Sequence, residues 1–466
     1  MLTKYRTISL WPYLKLRFYS DLSELGTATK DTSLPQTRSR SKLRLFFKLK
    51  LDTYKKKKKI NSLAKQLSQE LGIIDGVLFF SLASHCEAKK DSITNKFLTP
   101  IANSMNIKEI PRFLLWNQAN YILSPQATVS CTLFNKYLDE VASVASTQLD
   151  DPQLIGLIDK AERLIAEKSA ILRLNTGEAY KDIRTLYLLS FFFNKLFCYS
   201  KIKKVFLCCY YNIPSFAICH AANTHGISSI EVQHGQQGDL HPFYSNWTNY
   251  PRKSYTLLPS TFWVWGTLSA KRIMKWAKEK HKIVIGGNPS LLDKSFEKYL
   301  LSLPQQKVKK ILISSQIKVP LPEFLYEAIS ERLDITWTFR LHPKEEVDFN
   351  DVREMLITRL GLERNWTIEL SSSSNYLDSV CNHDLHITGW STTAYEALNA
   401  GVHSIIIHKT GLVTMQDYIK EKVFGYADNK SDLFDIIDNP SFNKPSEPYM
   451  KSDRETFQKA IEEIAT

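Results

Sequence analysis

The feature that most constrains this chain is a change of rhythm near residue 200. Residues 205–211 (VFLCCYY) form a short apolar run. Residues 214–224 have helical composition and stop before Gly226, and residues 227–233 (ISSIEVQ) are a second β-rich run ending at His234-Gly235. Strand, helix, strand is a βαβ unit. Such a unit implies a parallel sheet whose ligand site lies at the C-terminal ends of the strands. The rhythm resumes after Gly266. Residues 283–285 precede Gly286-Gly287, 311–313 precede Ser314-Ser315, and 336–341 precede His342-Pro343. Residues 367–370 precede four serines at 371–374, 385–387 precede Thr388-Gly389, and 402–407 complete the set. Short β-rich runs alternating with helices predict an α/β fold with a second doubly wound domain.

The N-terminal part reads differently. The net charge is +13, and residues 1–60 carry +12 of it, with 16 Lys and Arg against 4 Asp and Glu. Residues 14–18 and 43–51 alternate apolar and basic side chains. The second stretch fits a period of two, which favours a strand or a solvated tail over a helix. Five consecutive lysines follow at 55–59. A polybasic cluster beside apolar and aromatic residues suits an anionic membrane surface, at about 1 kcal/mol per basic residue. No nucleic-acid-binding motif accompanies the charge, so no nucleic-acid partner is expected.

Asp151-Pro152 opens an amphipathic helix, with Asp as cap and Pro in the first turn. Residues 179–197 predict a buried helix, apolar nearly all round. Ser452 and Glu455 have capping-box spacing before Phe457, Ile461 and Ile464, which predicts a terminal amphipathic helix. The expected division is a basic extension over 1–60, an α/β domain over 61–285, a second over 286–450, and the helix over 451–466. Seven scattered cysteines without a C-x-x-C pattern argue against a disulfide framework and a cysteine-built metal site. The longest apolar stretch, 186–193, is well short of the roughly 20 residues of a membrane-spanning helix. The first residues lack a signal-peptide pattern. The expected location is the cytoplasm, peripheral at the inner membrane face.

Three segments carry chemistry. In 388–397 (TGWSTTAYEA), a strand ends, Gly389 permits a tight turn, and a helix begins with Ser391, Thr392 and Thr393. Free backbone N–H groups and hydroxyls at that point suit a phosphate or diphosphate, and Glu396, one turn on, suits ribose hydroxyls. Ordinary N-capping is the competing reading. In 340–344 (RLHPK), His342 follows a strand directly and Pro343 keeps it out of a helix, while Arg340 and Lys344 add positive charge. His342 can donate to a phosphate oxygen; a purely structural histidine is the alternative. In 231–242 (EVQHGQQGDLHP), Gln233, His234, Gly235, Asp239 and His241 follow a strand of the first domain. Either His234 or Asp239 can serve as general base on an acceptor hydroxyl. His234, Asp239 and His241 also have metal-ligand chemistry, and a packed turn without chemistry is the third reading.

The order of these motifs resembles that of GT-B fold glycosyltransferases of bacterial surface polysaccharides. It is also similar to CDP-glycerol glycerophosphotransferases and to CMP-sugar transferases of the Kdo and sialic type. The matching stretches are Gln233-His234-Gly235, Pro259-Ser260 with Gly266, Gly287-Asn288-Pro289, Arg340-Leu341-His342-Pro343 and Ser391-Thr392-Thr393. The resemblance covers about residues 200–410. It implies two Rossmann-like domains facing across a cleft, with the donor on the second. Donor binding would then fall to Arg340, His342, Lys344, Ser314, Ser315, Gly389, Ser391, Thr392, Thr393 and Glu396. Catalysis would fall to His234, Asp239 and His241, on a loop with Gln233 and Gly235. The partners implied are a nucleotide-sugar donor and a glycan or lipid-linked acceptor, with no metal or other cofactor required. Gly389-Trp390 stands where the glycerophosphotransferases have Asp-Tyr, which favours a sugar over glycerol phosphate. The alternatives are polyol-phosphate transfer and a non-catalytic module that binds a nucleotide or glycan.

Overall fold

The computed structural model describes residues 4–5, 8–23, 42–72, 76–82, 85–89, 92–105, 112–116, 131–146, 151–168, 174–237, 241–245, 247, 250–251, 254–292, 307–316, 319–342, 345–362, 364–374 and 376–465. Two parallel sheets organise it. The first has seven strands: β1 (Val77–Leu82), β2 (Arg112–Trp116), β3 (Cys131–Leu133), β4 (Lys204–Cys208), β5 (Ser228–Val232), β6 (Thr261–Val264) and β7 (Lys282–Ile285). Their spatial order is 3-2-1-4-5-6-7, and every pairing is parallel. The second sheet has β8 (Lys310–Ser314), β9 (Thr336–Arg340), β10 (Trp366–Glu369), β11 (Leu385–Thr388), β12 (Ser404–Ile406) and β13 (Gly425–Tyr426). Its order is 10-9-8-11-12-13, again all parallel.

Both sheets therefore follow the strand order of a doubly wound mononucleotide-binding unit. The order reverses between β1 and β4 in the first sheet and between β8 and β11 in the second. Ligands bind at such switch points, beyond the C-terminal strand ends. Two such sheets in one chain make the fold GT-B-like.

The strands are largely buried and mostly apolar because helices cover both faces of each sheet, with Glu231, Ser314, Arg340 and His386 among the buried polar exceptions. One core cluster joins β1, β4 and β6 to the helices Thr176–Tyr199 and Ile213–His225. A second spans both halves, bringing Phe79, Phe206 and Trp263 together with Tyr395, Tyr418 and Tyr449. A third lies within the second half around Ile311, Trp337, Trp366 and Leu385. The helix Pro152–Lys168 begins as expected, with Asp151 Oδ1 accepting from Gln153 N and Leu154 N.

Two sequence expectations change. Residues 43–51, expected to be extended or solvated, lie in a 30-residue helix, Lys42–Leu71. Leu, Lys and Gln are good helix formers, and Ile60, Ala64, Leu67 and Leu71 recur at helical spacing against the core. The basic segment is also knitted into the body. Ile8, Leu10, Tyr13 and Leu14 are core residues, and Lys15 Nζ sits 4.0 Å from the Trp247 ring centroid. Second, the C-terminal helix, Arg454–Ala465, is capped by Asp453, whose Oδ1 accepts from Thr456 N at 2.7 Å, rather than by Ser452. On a point the sequence left open, that helix crosses back to the first half. Phe457, Ile461 and Ile464 pack with Val77 and Phe79, and Lys282 Nζ donates to Glu463 O at 2.9 Å. Burying each such side chain stabilises by about 1.5–3 kcal/mol. Before the helix, Lys451 N donates to Trp265 O at 2.9 Å and Lys451 O accepts from Asn288 N at 2.8 Å, pinning the segment to the loops after β6 and β7.

Candidate active site between two strand-end rims

The rim of the first sheet is built at the ends of β4 and β5. β4 stops one residue before Cys209, which has a left-handed φ of 64° and turns the chain toward Tyr211 and the helix Ile213–His225. Asn212 fixes this turn: its Nδ2 donates to Cys209 O at 2.7 Å, and its Oδ1 accepts from Ser215 N at 2.9 Å. β5 carries Glu231 and delivers His234. The His234 ring has two distinct neighbours. Nδ1 lies 3.4 Å from Glu231 Oε1, an ion-pair distance without hydrogen-bond geometry, and Nε2 lies 3.2 Å from the Tyr211 hydroxyl. Glu231 is fully buried and accepts from the Tyr244 hydroxyl. Burial opposes charge on the His234 ring, but the Cys209 thiol and the Glu231 carboxylate overcome it and raise its pKa to about 10.

Two further imidazoles stand close. The His85 ring centroid is 5.2 Å from that of His234, and His241 packs 4.7 Å from Tyr244 and 5.2 Å from Tyr211. Burial first, then the His234 charge, holds His241 at about 3 and His85 well below the usual range. His241 Nδ1 accepts from Phe243 N at 3.3 Å, so the neutral ring keeps its proton on Nε2 and offers a donor. Gln233, expected to line the loop, is fully buried. Its Oε1 accepts from Trp265 N at 2.7 Å and its Nε2 donates to Gly235 O at 2.9 Å, so it shapes the turn. Asp239 lies outside the described residues. Among the described residues no cluster of His, Cys, Asp or Glu has metal-ligand geometry.

The second rim is centred on the loop after β8. Ser315 Oγ accepts from His342 N at 3.0 Å, and Gln316 Oε1 accepts from Trp390 N at 2.9 Å. One short segment thus ties the segment after β9 to the segment after β11. Strands lie about 4.8 Å apart, so β9 and β11, which flank β8 and lead to His342 and Ser391, leave the sheet edge about 10 Å from one another. Gly389 leaves room for the Gln316–Trp390 bond: a Cβ there would stand 2.2 Å from Gln316 Oε1 and displace that amide. Ser391, Thr392 and Thr393 are half-buried. Ser391 Oγ accepts from Thr393 N at 3.3 Å, and Thr393 Oγ1 is buried with no hydrogen-bond partner. Glu396 is half-buried in the helix Thr393–Asn399.

Two expected donor ligands are engaged inside the protein. Arg340 ion-pairs with Glu369 and donates to Ser374 Oγ, Ser374 O and Ser371 O. Its guanidinium organises the serine-rich loop and is not directed to a phosphate. Ser314 Oγ faces His386 Nε2 at 2.9 Å, and His386 Nδ1 faces Ser404 Oγ at 2.9 Å, a buried cross-strand chain. Lys344 lies outside the described residues.

The rims touch. Gln236 Nε2 donates to Thr414 O at 3.3 Å, and Gln237 N donates to the Tyr449 hydroxyl at 2.8 Å. Thr414 ends the helix Lys409–Thr414, whose Gly411 packs so closely that a Cβ there would stand 2.1 Å from Gly389 O. The loop that follows His234 thus reaches, through Gln236 and Thr414, the helix whose Gly411 packs on Gly389, two residues before Ser391. The Gln237 amide and Thr414 Oγ1 are buried in this seam with no hydrogen-bond partner.

Sequence reading had no role for Glu231, Tyr211, Gln316 or Tyr449. Only Glu231 carried a signal, as a lone acid in an otherwise uncharged strand three residues before the histidine.

No protein-family model and no curated protein matches the chain. Solved structures do. The UDP-GlcNAc 2-epimerase of Methanocaldococcus jannaschii is 13% identical, with 84% of this chain and 99% of that chain covered and a TM-score of 0.47. A putative UDP-N-acetylglucosamine 2-epimerase of Listeria monocytogenes is 13% identical over 83% and 94%, with a TM-score of 0.49. MurG of Acinetobacter baumannii is 11% identical over 84% and 93%, with a TM-score of 0.37. At these identities the likeness is one of architecture.

Proposed function

We propose that this chain is a glycosyltransferase moving a sugar from a nucleotide-activated donor to a hydroxyl of a glycan or lipid-linked acceptor of the cell surface. The observation that carries the reading is the seam between the two strand-end rims. It joins the loop that follows the titratable His234, at the edge of one nucleotide-type sheet, to the loop that carries the hydroxyls, at the edge of the other. The donor phosphates meet the hydroxyls of Ser391–Thr393 and the ring of His342, with Ser315 and Gln316 holding the two segments in register. Glu396 meets the ribose. The acceptor hydroxyl meets His234, which takes its proton, with the neutral His241 as a nearby donor. Fixed donors at the leaving diphosphate stabilise the charge that develops there. Lys55, Lys58 and Tyr54 are exposed on the basic helix and meet an anionic membrane surface. Lys56 is buried, Lys57 lies over Phe191 and Lys59 pairs with Glu140, so only part of the lysine run is available.

The test combines nucleotide binding with turnover. Thermal shifts are measured with CMP, CDP, UDP and GDP. The cognate nucleotide raises the melting temperature, by the equivalent of about 2.7 kcal/mol at a hundredfold excess over Kd. With the corresponding donor sugars, His234→Ala lowers turnover by about 10²–10⁴. Unchanged turnover overturns the assignment of His234. Nucleotide binding without consumption of any donor makes the protein a binding module. Rearrangement of the donor sugar without an acceptor makes it an isomerase on the same architecture.

A further inference from the structure

We infer that Glu231 is the positioning residue of the acceptor-side rim: as the buried counter-charge facing Nδ1 of His234 it keeps the ring's proton in place and leaves Nε2 as the working face, now turned to the Tyr211 hydroxyl. The inference rests on the acceptor-side role proposed for His234.

Glu231 sits on β5, a central strand, with no solvent exposure. A buried carboxylate without a cation is strongly disfavoured. Among the described residues no lysine or arginine pairs with it; the ring of His234, 3.4 Å away, is the one cationic group available. The Tyr244 hydroxyl donates to Oε1, the same oxygen that faces the ring, while Oε2 has no hydrogen-bond partner. Most other titratable groups around the pair are pushed toward their neutral forms. From β4 and its turn come Cys208, Tyr210 and Tyr211, and from the following helix Cys219, all pushed by burial toward their neutral forms. The Cys209 thiol also lies against the ring and, with Glu231, favours its charged form. Tyr244 is likewise held neutral, and His85 and His241 are held uncharged by burial and by His234 itself. One proton shared among three imidazoles thus resides on the ring that has the carboxylate. The layout follows the logic of a carboxylate–imidazole pair in acyl transfer, where the acid fixes the tautomer and stabilises the imidazolium formed when the ring accepts a proton.

The consequence for transfer is specific. The ring accepts the acceptor hydroxyl proton only from its unprotonated form, a minor species at neutral pH. Turnover should therefore rise about tenfold per pH unit between 7 and 9.

The test is ring ¹⁵N chemical shifts of His234 in the full-length protein without substrate, assigned with His234→Gln. In the wild type the ring stays doubly protonated past pH 8. Glu231→Gln brings its midpoint below 7, and Glu231→Asp restores most of the shift. A wild-type midpoint near the ordinary histidine value overturns the inference, whether or not Glu231→Gln folds. An unchanged midpoint in a folded Glu231→Gln variant overturns it equally. Because this readout needs no donor, its failure leaves the glycosyl-transfer reading standing. Conversely, a protein that turns over no donor retains the Glu231–His234 pair if the shifts agree. Where turnover is measurable, the pH rise of the wild type should flatten above about pH 7 in Glu231→Gln. A rise that persists in the variant also overturns the inference.

Discussion

The two rims solve the same topological problem in opposite ways. At the first, titratable groups are concentrated: a carboxylate with no exposure faces the His234 ring, and two further imidazoles stand close by. At the second, charge is kept off the rim. Arg340 is turned inward to Glu369 and the serine loop, and the surface is left to half-buried hydroxyls and to segments tied together by Ser315 and Gln316. The difference teaches where each chemistry can reside. A group that must hold or move a proton needs a low dielectric and a fixed partner to tune it. A surface that receives an already charged ligand needs donors in register, and a permanent internal cation there serves the scaffold.

The largest effect that separates the rims is expected from Arg340→Ala. Removing one member of a buried pair leaves Glu369 uncompensated, at a cost of about 3–5 kcal/mol. Chemical denaturation should show that loss with the His234 ring shifts unchanged. Shifts that move with Arg340 would mean the rims are electrically coupled.

A smaller effect comes from pH. His234 has a folded pKa raised to about 10, so its stabilisation is fully present below the unfolded value near 6.5 and is lost as pH rises through 10. The loss is on the order of a few kcal/mol at most. His241 and His386, both held at about 3 by burial, act in the opposite sense. They cost stability as pH falls below about 6.5 toward 3. Denaturation midpoints from pH 5 to 10 should therefore pass through a maximum near neutrality. In Glu231→Gln the alkaline limb should flatten and the acid limb persist.

The smallest effect belongs to the second rim. Ser391→Ala removes one side-chain acceptor for Thr393 N and should cost about 0.5–1.5 kcal/mol. Its melting temperature should fall by only a few degrees, while any nucleotide-induced shift shrinks further. An undiminished nucleotide shift would move the phosphates away from these hydroxyls.

Much of this was legible because the parallel sheets announce themselves locally. The run 311–313 before Ser314 and the run 385–387 before Thr388 became β8 and β11, the strands that flank the switch point. His234, His342 and Ser391 were visible because each directly follows a strand, where a parallel sheet presents its site. The helix Lys42–Leu71 was not legible. Its first turns alternate as a strand would, and the residues that bury it, Ile60 to Leu71, lie beyond the alternating stretch. Arg340 and Ser314 looked like ligands because charge and hydroxyls near a strand end look alike whether they face a substrate or a neighbouring loop.

The sequence by itself determined the alternation of strands and helices, and with it the two parallel sheets and the edge on which each candidate residue sits. These follow from periodicity and turn chemistry, which are local. Only the tertiary structure decided that Glu231 would stand behind His234, that Arg340 would face inward, and that the last helix would return to the first sheet. Each depends on which distant side chains share one buried volume, and the free energy of a charge is set by that volume rather than by its neighbours along the chain.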